Sequence, residues 1–176
     1  MNLNPRFKYP PAIARTLGFD VIDTGERNAT IEIVTDLERH ANPMGTVHGG
    51  VLCDIADAAI GTAHATGLGE GESFTSLDLQ INFFRPVWND RLRAVAKPVH
   101  IGKTVSRYVC DILNTDGKLV AQVTSTVMTL RGEKAIRKIG GNLGKFDGIH
   151  KVECRAGIRS AVRRRVRPGL GRPAQL

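Results

Sequence analysis

Long apolar runs are missing from this chain. No segment of its 176 residues approaches the roughly 18 to 20 consecutive apolar residues that a bilayer span needs. The first fifteen residues, MNLNPRFKYPPAIAR, hold no apolar core of signal-peptide length. Cysteine is scarce and unpatterned: Cys53, Cys110 and Cys154 are odd in number, far apart and without CxxC spacing. That excludes a disulfide framework or a cysteine-rich zinc site and points to a reducing cytoplasm. Signature motifs are missing as well. There is no GxSxG nucleophile elbow and no GxxxxGK[ST] phosphate loop, and His40, His48 and His64 do not have HExxH-type zinc spacing. Metal binding is therefore not expected.

The net charge of +8 belongs to one end. Residues 132–176 carry 12 Lys or Arg against 3 Asp or Glu, whereas residues 1–131 carry 13 against 14. A nucleic-acid reading thus cannot extend to the main part of the chain. The basic end is rich in Gly, Pro and Arg and is expected to be a disordered tail, with a short amphipathic helix through Ile158, Val162 and Val166 as the other reading. Contact of this tail with nucleic acid or an anionic membrane surface has only its charge as motive.

What is present suits one α+β domain over residues 1–131. The 41% apolar content is enough for a core. PPAIARTL (10–17) predicts a short helix between a leading Pro and Gly18. Residues 19–26 and 28–35 alternate as two strands, and 36–45 is a polar loop. Residues 74–84 alternate most clearly, with Leu77, Leu79, Ile81 and Phe83 opposed to Ser76, Asp78, Gln80 and Asn82, so one strand with one buried face is expected. Residues 91–101, 104–114 and 119–130 follow as strands, the last pair joined by the turn TDGK. Consecutive hairpins predict an antiparallel sheet of about five to six strands.

The segment from Asn42 to His64, NPMGTVHGGVLCDIADAAIGTAH, organises the rest. After the loop its Ala-rich apolar residues cover roughly two-thirds of a helix circumference, which predicts a buried helix ending near Gly67. The narrow remaining edge holds Gly50, Asp54, Asp57, Gly61 and His64, with no Lys, Glu or Arg. His48-Gly49-Gly50 falls where loop becomes helix. The first N–H groups of a helix have no intrahelical partner, and glycines there let a ligand approach the backbone. The glycines either donate to a phosphate or a developing oxyanion, or merely let the loop turn. Asp57, on a mostly buried helix, is a candidate base or nucleophile, whereas Asp54 is expected to be a bystander.

With these residues in view, Asn42-Pro-Met-Gly-Thr-Val-His48-Gly49-Gly50, with Asp57 nine residues after the His, resembles the hotdog-fold acyl-CoA thioesterases of the phenylacetate-pathway (PaaI-like) type. Thr75-Ser76-Leu77-Asp78-Leu79-Gln80-Ile81-Asn82-Phe83 followed by Arg85-Pro86, and Gly102-Lys103-Thr104, fit the same family. The resemblance covers residues 10–131; residues 132–176 have no counterpart in it. It implies a hotdog fold, one long helix wrapped by an antiparallel sheet, and hydrolysis of an acyl-CoA to free acid and coenzyme A. It also implies roles: Asp57 as general base or nucleophile, and the Gly49 N–H, with Gly50 beside it, at the thioester carbonyl oxygen. Asn42 and His48 would orient substrate or water, and Ser76 would lie near Asp57. Thr75, Arg85, Lys103 and Arg107 are implied contacts for substrate or coenzyme A. The implied site lies at a dimer interface, in a homodimer or homotetramer. A non-catalytic acyl-CoA-binding protein of this fold is the alternative. A hydratase would need His64 as partner to Asp57, about two helical turns away. Ile60, Ala63, Phe74 and Phe84 are candidates to shape the acyl pocket.

Overall fold

A computed structural model describes residues 7–135. The expected tail therefore lies almost entirely outside the described residues, as does Cys154. In order, the elements are α1 (Ala12–Leu17), β1 (Phe19–Gly25), β2 (Asn28–Val34), α2 (Leu37–His40), α3 (Gly49–Ala65), β3 (Ser73–Ser76), β4 (Gln80–Phe83), β5 (Arg91–Ile101), β6 (Val105–Leu113) and β7 (Leu119–Leu130). All pairings are antiparallel, in the order β1-β2-β5-β6-β7-β3, with β4 also on β7. The sheet curls around α3, the arrangement the hotdog resemblance implies.

Alternation explains the core. Ala94 and Ala96 of β5, Tyr108, Cys110 and Ile112 of β6, and Ala121, Val123 and Val127 of β7 all face inward without exposure. They close over Ile55, Ala56, Ala59, Ile60 and Ala63 of α3, also fully buried. Small residues on the helix and on β5 bring helix and sheet close, and each large aliphatic side chain sealed there contributes about 1.5–3 kcal/mol. At the end of α1, Gly18 takes φ +81° and its N–H returns to the Ala14 carbonyl, a left-handed stop that favours glycine.

Three expectations need correcting. The single strand over 74–84 is two strands. Ser76 pairs with Val127 and Gln80 with Thr124, so four steps on this side oppose three on β7. The extra residue is accommodated at Leu77–Leu79, where Asp78 Oδ1 accepts from the Thr126 N–H (2.9 Å) and its carbonyl accepts from Ser125 Oγ (2.7 Å). Such an insertion exchanges which residues face inward. Phe74 and Ser76 point to the helix before it, and Ile81 and Phe83 after it, while Leu77 is exposed. Second, the loop at 36–45 contains α2, capped by the Asp36 side chain on the Glu38 N–H. Its buried His40 accepts from the Asp36 N–H at Nδ1 (2.9 Å) and meets the Leu17 carbonyl at Nε2 (3.0 Å). Third, His64 is not on a polar edge but has no exposure.

Candidate active site

The loop before α3 is built by Asn42. Its Oδ1 accepts from the N–H groups of Met44 (2.9 Å) and Thr46 (3.3 Å), and its Nδ2 donates to Thr46 Oγ1 (2.9 Å). Gly45 closes the turn at φ +77°. The Asn42 amide is thus committed to shaping the loop. His48 then caps α3, accepting at Nδ1 from the Gly50 N–H at 2.9 Å. That bond leaves the neutral imidazole its proton on Nε2. It also takes Gly50 out of contention as a donor, because its N–H is already used. The Gly49 N–H meets no acceptor among the described residues. A Cβ at Gly49 would lie 2.8 Å from Phe83 Cζ, so a larger residue there would require the exposed Phe83 ring to shift.

Two turns along the helix, Ser76 Oγ donates to Asp57 Oδ1 at 3.0 Å. The register shift after Ser76 is what allows the expected neighbourhood: Ser76 is on the helix-facing side while Ile81 is too. Asp57 is exposed in this chain, contrary to the expected burial. With Asp54, it stands on a ridge between two concavities. One, of about 380 Å³, is mostly apolar and reaches from Asp57 past Ala58 and Gly61 to Ala65, with Phe74 opposite. The other, more open and about 360 Å³, is bounded by Cys53, Ser76 and Asp78. Asp54, expected as a bystander, borders both; partial loss of water and then the Asp57 carboxylate push its carboxyl above the usual range.

Sequence reasoning missed the outer wall of the apolar cavity. It comes from the N-terminal segment, with Phe7, Tyr9 and Ile13. No periodicity in so short a segment signals where it docks. The Tyr9 hydroxyl donates to Asp20 Oδ1 (2.6 Å) and accepts from the Val21 N–H (2.7 Å). Burial and the Asp20 carboxylate push it to about 12, so it remains a protonated donor. Of the residues expected to shape an acyl pocket, Phe74 borders this cavity, whereas Ile60 and Ala63 are sealed in the core and Phe84 is exposed elsewhere.

The other candidates lie apart from Asp57. Thr75 and Arg107 fall on the sheet face opposite the helix. The Arg107 guanidinium donates to Thr126 Oγ1 (3.0 Å) and Thr124 Oγ1 (3.1 Å). Arg85 binds the Leu119 carbonyl, seven residues and about 23 Å away along β7. Lys103 is exposed on the β5–β6 turn. One chain does not gather these three cations into a patch. His64 meets the Tyr108 hydroxyl (3.2 Å) and Thr129 Oγ1 (3.0 Å), so it does not face Asp57's ridge. Among the described residues, no three His, Cys, Asp or Glu gather as a metal-binding set. No helix among them is long and apolar enough to cross a membrane.

Comparison with known proteins places this architecture. The thioesterase superfamily profile matches residues 44–121, from the loop before α3 into β7. The acyl-coenzyme A thioesterase PaaI of Escherichia coli is 31% identical over 134 residues, covering 75% of this chain and 86% of that protein. The solved structure of E. coli PaaI superposes with a TM-score of 0.65 at 29% identity, over 70% of this chain and 87% of its own. A thioesterase structure from Haemophilus influenzae gives 0.65 at 26% identity, over 69% and 85%. Fold and relatives together define a hotdog enzyme of the thioester-hydrolase class. The chain belongs to the thioesterase superfamily and, within it, is PaaI-like.

Proposed function

We propose that this protein hydrolyses an acyl-CoA thioester to a free acid and coenzyme A, with Asp57 supplying the carboxylate. The observation that carries the reading is the Ser76–Asp57 hydrogen bond at the mouth of an apolar cavity. Ser76 holds one carboxylate oxygen and leaves the other for a water or the acyl carbon. Acting as base, Asp57 takes a proton from water as its oxygen bonds to the thioester carbon. The oxyanion collapses, the C–S bond breaks, and the sulfur leaves as thiolate to be protonated. His48, capped on Gly50 and carrying its proton on Nε2, is suited to orient substrate or water.

The oxyanion donor in this reading is the Gly49 N–H. Asp57 and Gly49 are eight residues apart on one helix, about 12 Å at 1.5 Å per residue. A carbonyl carbon and its oxygen are far closer together than that. One chain therefore cannot apply both groups to one thioester, and the reading requires two copies, the Asp57 of one facing the Gly49 of the other across a two-fold axis. The exposed Leu77, in the stretch between β3 and β4, lies by Asp57, and the exposed Phe83 of β4 lies over Gly49; both suit such a contact.

The test is Asp57→Asn, assayed by thiol release over a panel of acyl-CoA substrates. Asn keeps an acceptor for Ser76 but is no base, so kcat is expected to fall on the order of 10²- to 10⁴-fold. A variant with wild-type kcat would refute the assignment. Size measurement on the same preparation must show at least a dimer.

A further inference from the structure

The cavity beside Asp57 has one wall made by neither the sheet nor α3. Phe7, Tyr9 and Ile13 come from the segment leading into α1 and from α1 itself. The Phe7 ring meets Phe74 edge-on, centroids 5.8 Å apart at 65°. Phe74 is in turn fixed from two sides. His64 packs behind it at 5.5 Å, and a Cβ at Gly61 would sit 3.3 Å from two of its ring atoms, so glycine lets the ring lie against the helix. Tyr9 pins the segment to β1 through Asp20 and Val21. Phe7, at 36% exposure, lines the cavity on one side and meets solvent on the other.

The direction of the cavity follows the helix. Asp57, Gly61 and Ala65 all border it and lie on successive turns about 6 Å apart, so it runs on the order of 12 Å from the carboxylate toward the end of α3. The hydroxyls of Tyr9 and Thr66 are already used, the latter by Ala63 and Arg27. At ~30 Å³ per small group, a water molecule's share of liquid, a cavity of about 380 Å³ holds roughly a dozen carbon-sized groups.

We infer that the segment Phe7–Ile13 is the specificity-determining wall of the acyl pocket, with Phe7 covering an aliphatic chain of medium length beyond its first few carbons. This rests on the acyl-CoA reading above. Carbons next to the thioester lie by Asp57 and Ala58 and do not depend on Phe7. Those farther out lie along Gly61 to Ala65, where the pair Phe7 and Phe74 seals them from water.

The experiment is a ladder of alkyl-CoA thioethers from four to sixteen carbons, titrated calorimetrically into the full chain. Thioethers are not hydrolysed, so the readout is independent of turnover. For the wild type, Kd is expected to tighten about four-fold per methylene, equivalent to ~0.8 kcal/mol, and to level off near a dozen carbons. In Phe7→Ala the shortest ligands should bind as in the wild type, while each later methylene should gain less than two-fold. Phe7→Leu, which restores an apolar cover, should recover the slope. Equal slopes in wild type and Phe7→Ala, uniform weakening at every length, or a wild type without length dependence would each overturn the inference. Absence of thiol release from true thioesters would instead remove the hydrolase reading while leaving the ladder interpretable.

Discussion

His64→Gln tests the packing that backs the cavity. The ring has no exposure and lies between the Tyr108 hydroxyl and Thr129 Oγ1. Burial, helped by the nearby Arg27 guanidinium and opposed by Glu72, pushes its pKa from 6.5 to about 4. The unfolded chain binds this proton near pH 6.5, the folded one only near 4. Between those values the unfolded state holds more protons, so stability rises with pH there. The contribution is complete above about 6.5 and is lost as pH falls toward 4. At ~1.4 kcal/mol per tenfold change in proton affinity, the full loss is about 3 kcal/mol, and about 2 kcal/mol of it falls between pH 7 and pH 5. Gln hydrogen-bonds to the same partners but does not titrate in this range. Urea unfolding of both proteins at pH 7 and pH 5 reads the effect as a difference of differences, which cancels every other titrating group. The stability gap should move by about 2 kcal/mol in the variant's favour at the lower pH. A gap that stays constant would show that His64 is not a neutral buried histidine.

Further outcomes follow from named contacts. Gly49→Ala puts a Cβ 2.8 Å from Phe83 Cζ and displaces the proposed oxyanion donor. It should lower kcat on the order of 10²- to 10³-fold, checked in the thiol-release assay; a variant with kcat within two-fold of wild type would remove Gly49 from that role. Ser76→Ala deletes the 3.0 Å bond to Asp57 and should lower kcat by about tenfold, given ~1.5 kcal/mol for such a bond. Unchanged kinetics would show that Asp57 needs no positioning. Gly18→Ala imposes a side chain at φ +81° and should cost about 1–2 kcal/mol, read from the urea midpoint, with activity retained.

The amino-acid sequence alone determined the elements whose signals are local. The Ala-rich periodicity of α3, the Gly18 stop and the TDGK turn each depend on residues within a turn or two, and each stands where expected. The family, too, was legible, because its motif is contiguous around His48-Gly49-Gly50 and Asp57. Tertiary structure decided what depends on distant partners. The residue inserted between β3 and β4 is invisible to a period-two pattern, since alternation looks unbroken until β7 supplies the register. Yet that insertion turns Ser76 toward Asp57 and leaves Leu77 outside. His64 shares a helical edge with Asp57 on paper, but Tyr108 and Thr129, strands away, claim it for the core. The wall from Phe7 to Ile13 was equally hidden, because docking is set by the surface it meets rather than by its own pattern. The sequence could name the carboxylate and the glycine and, through the rise of the helix it predicts, their separation of about 12 Å; only the folded chain shows that Ser76 reaches Asp57 and that the Phe83 ring lies against Gly49.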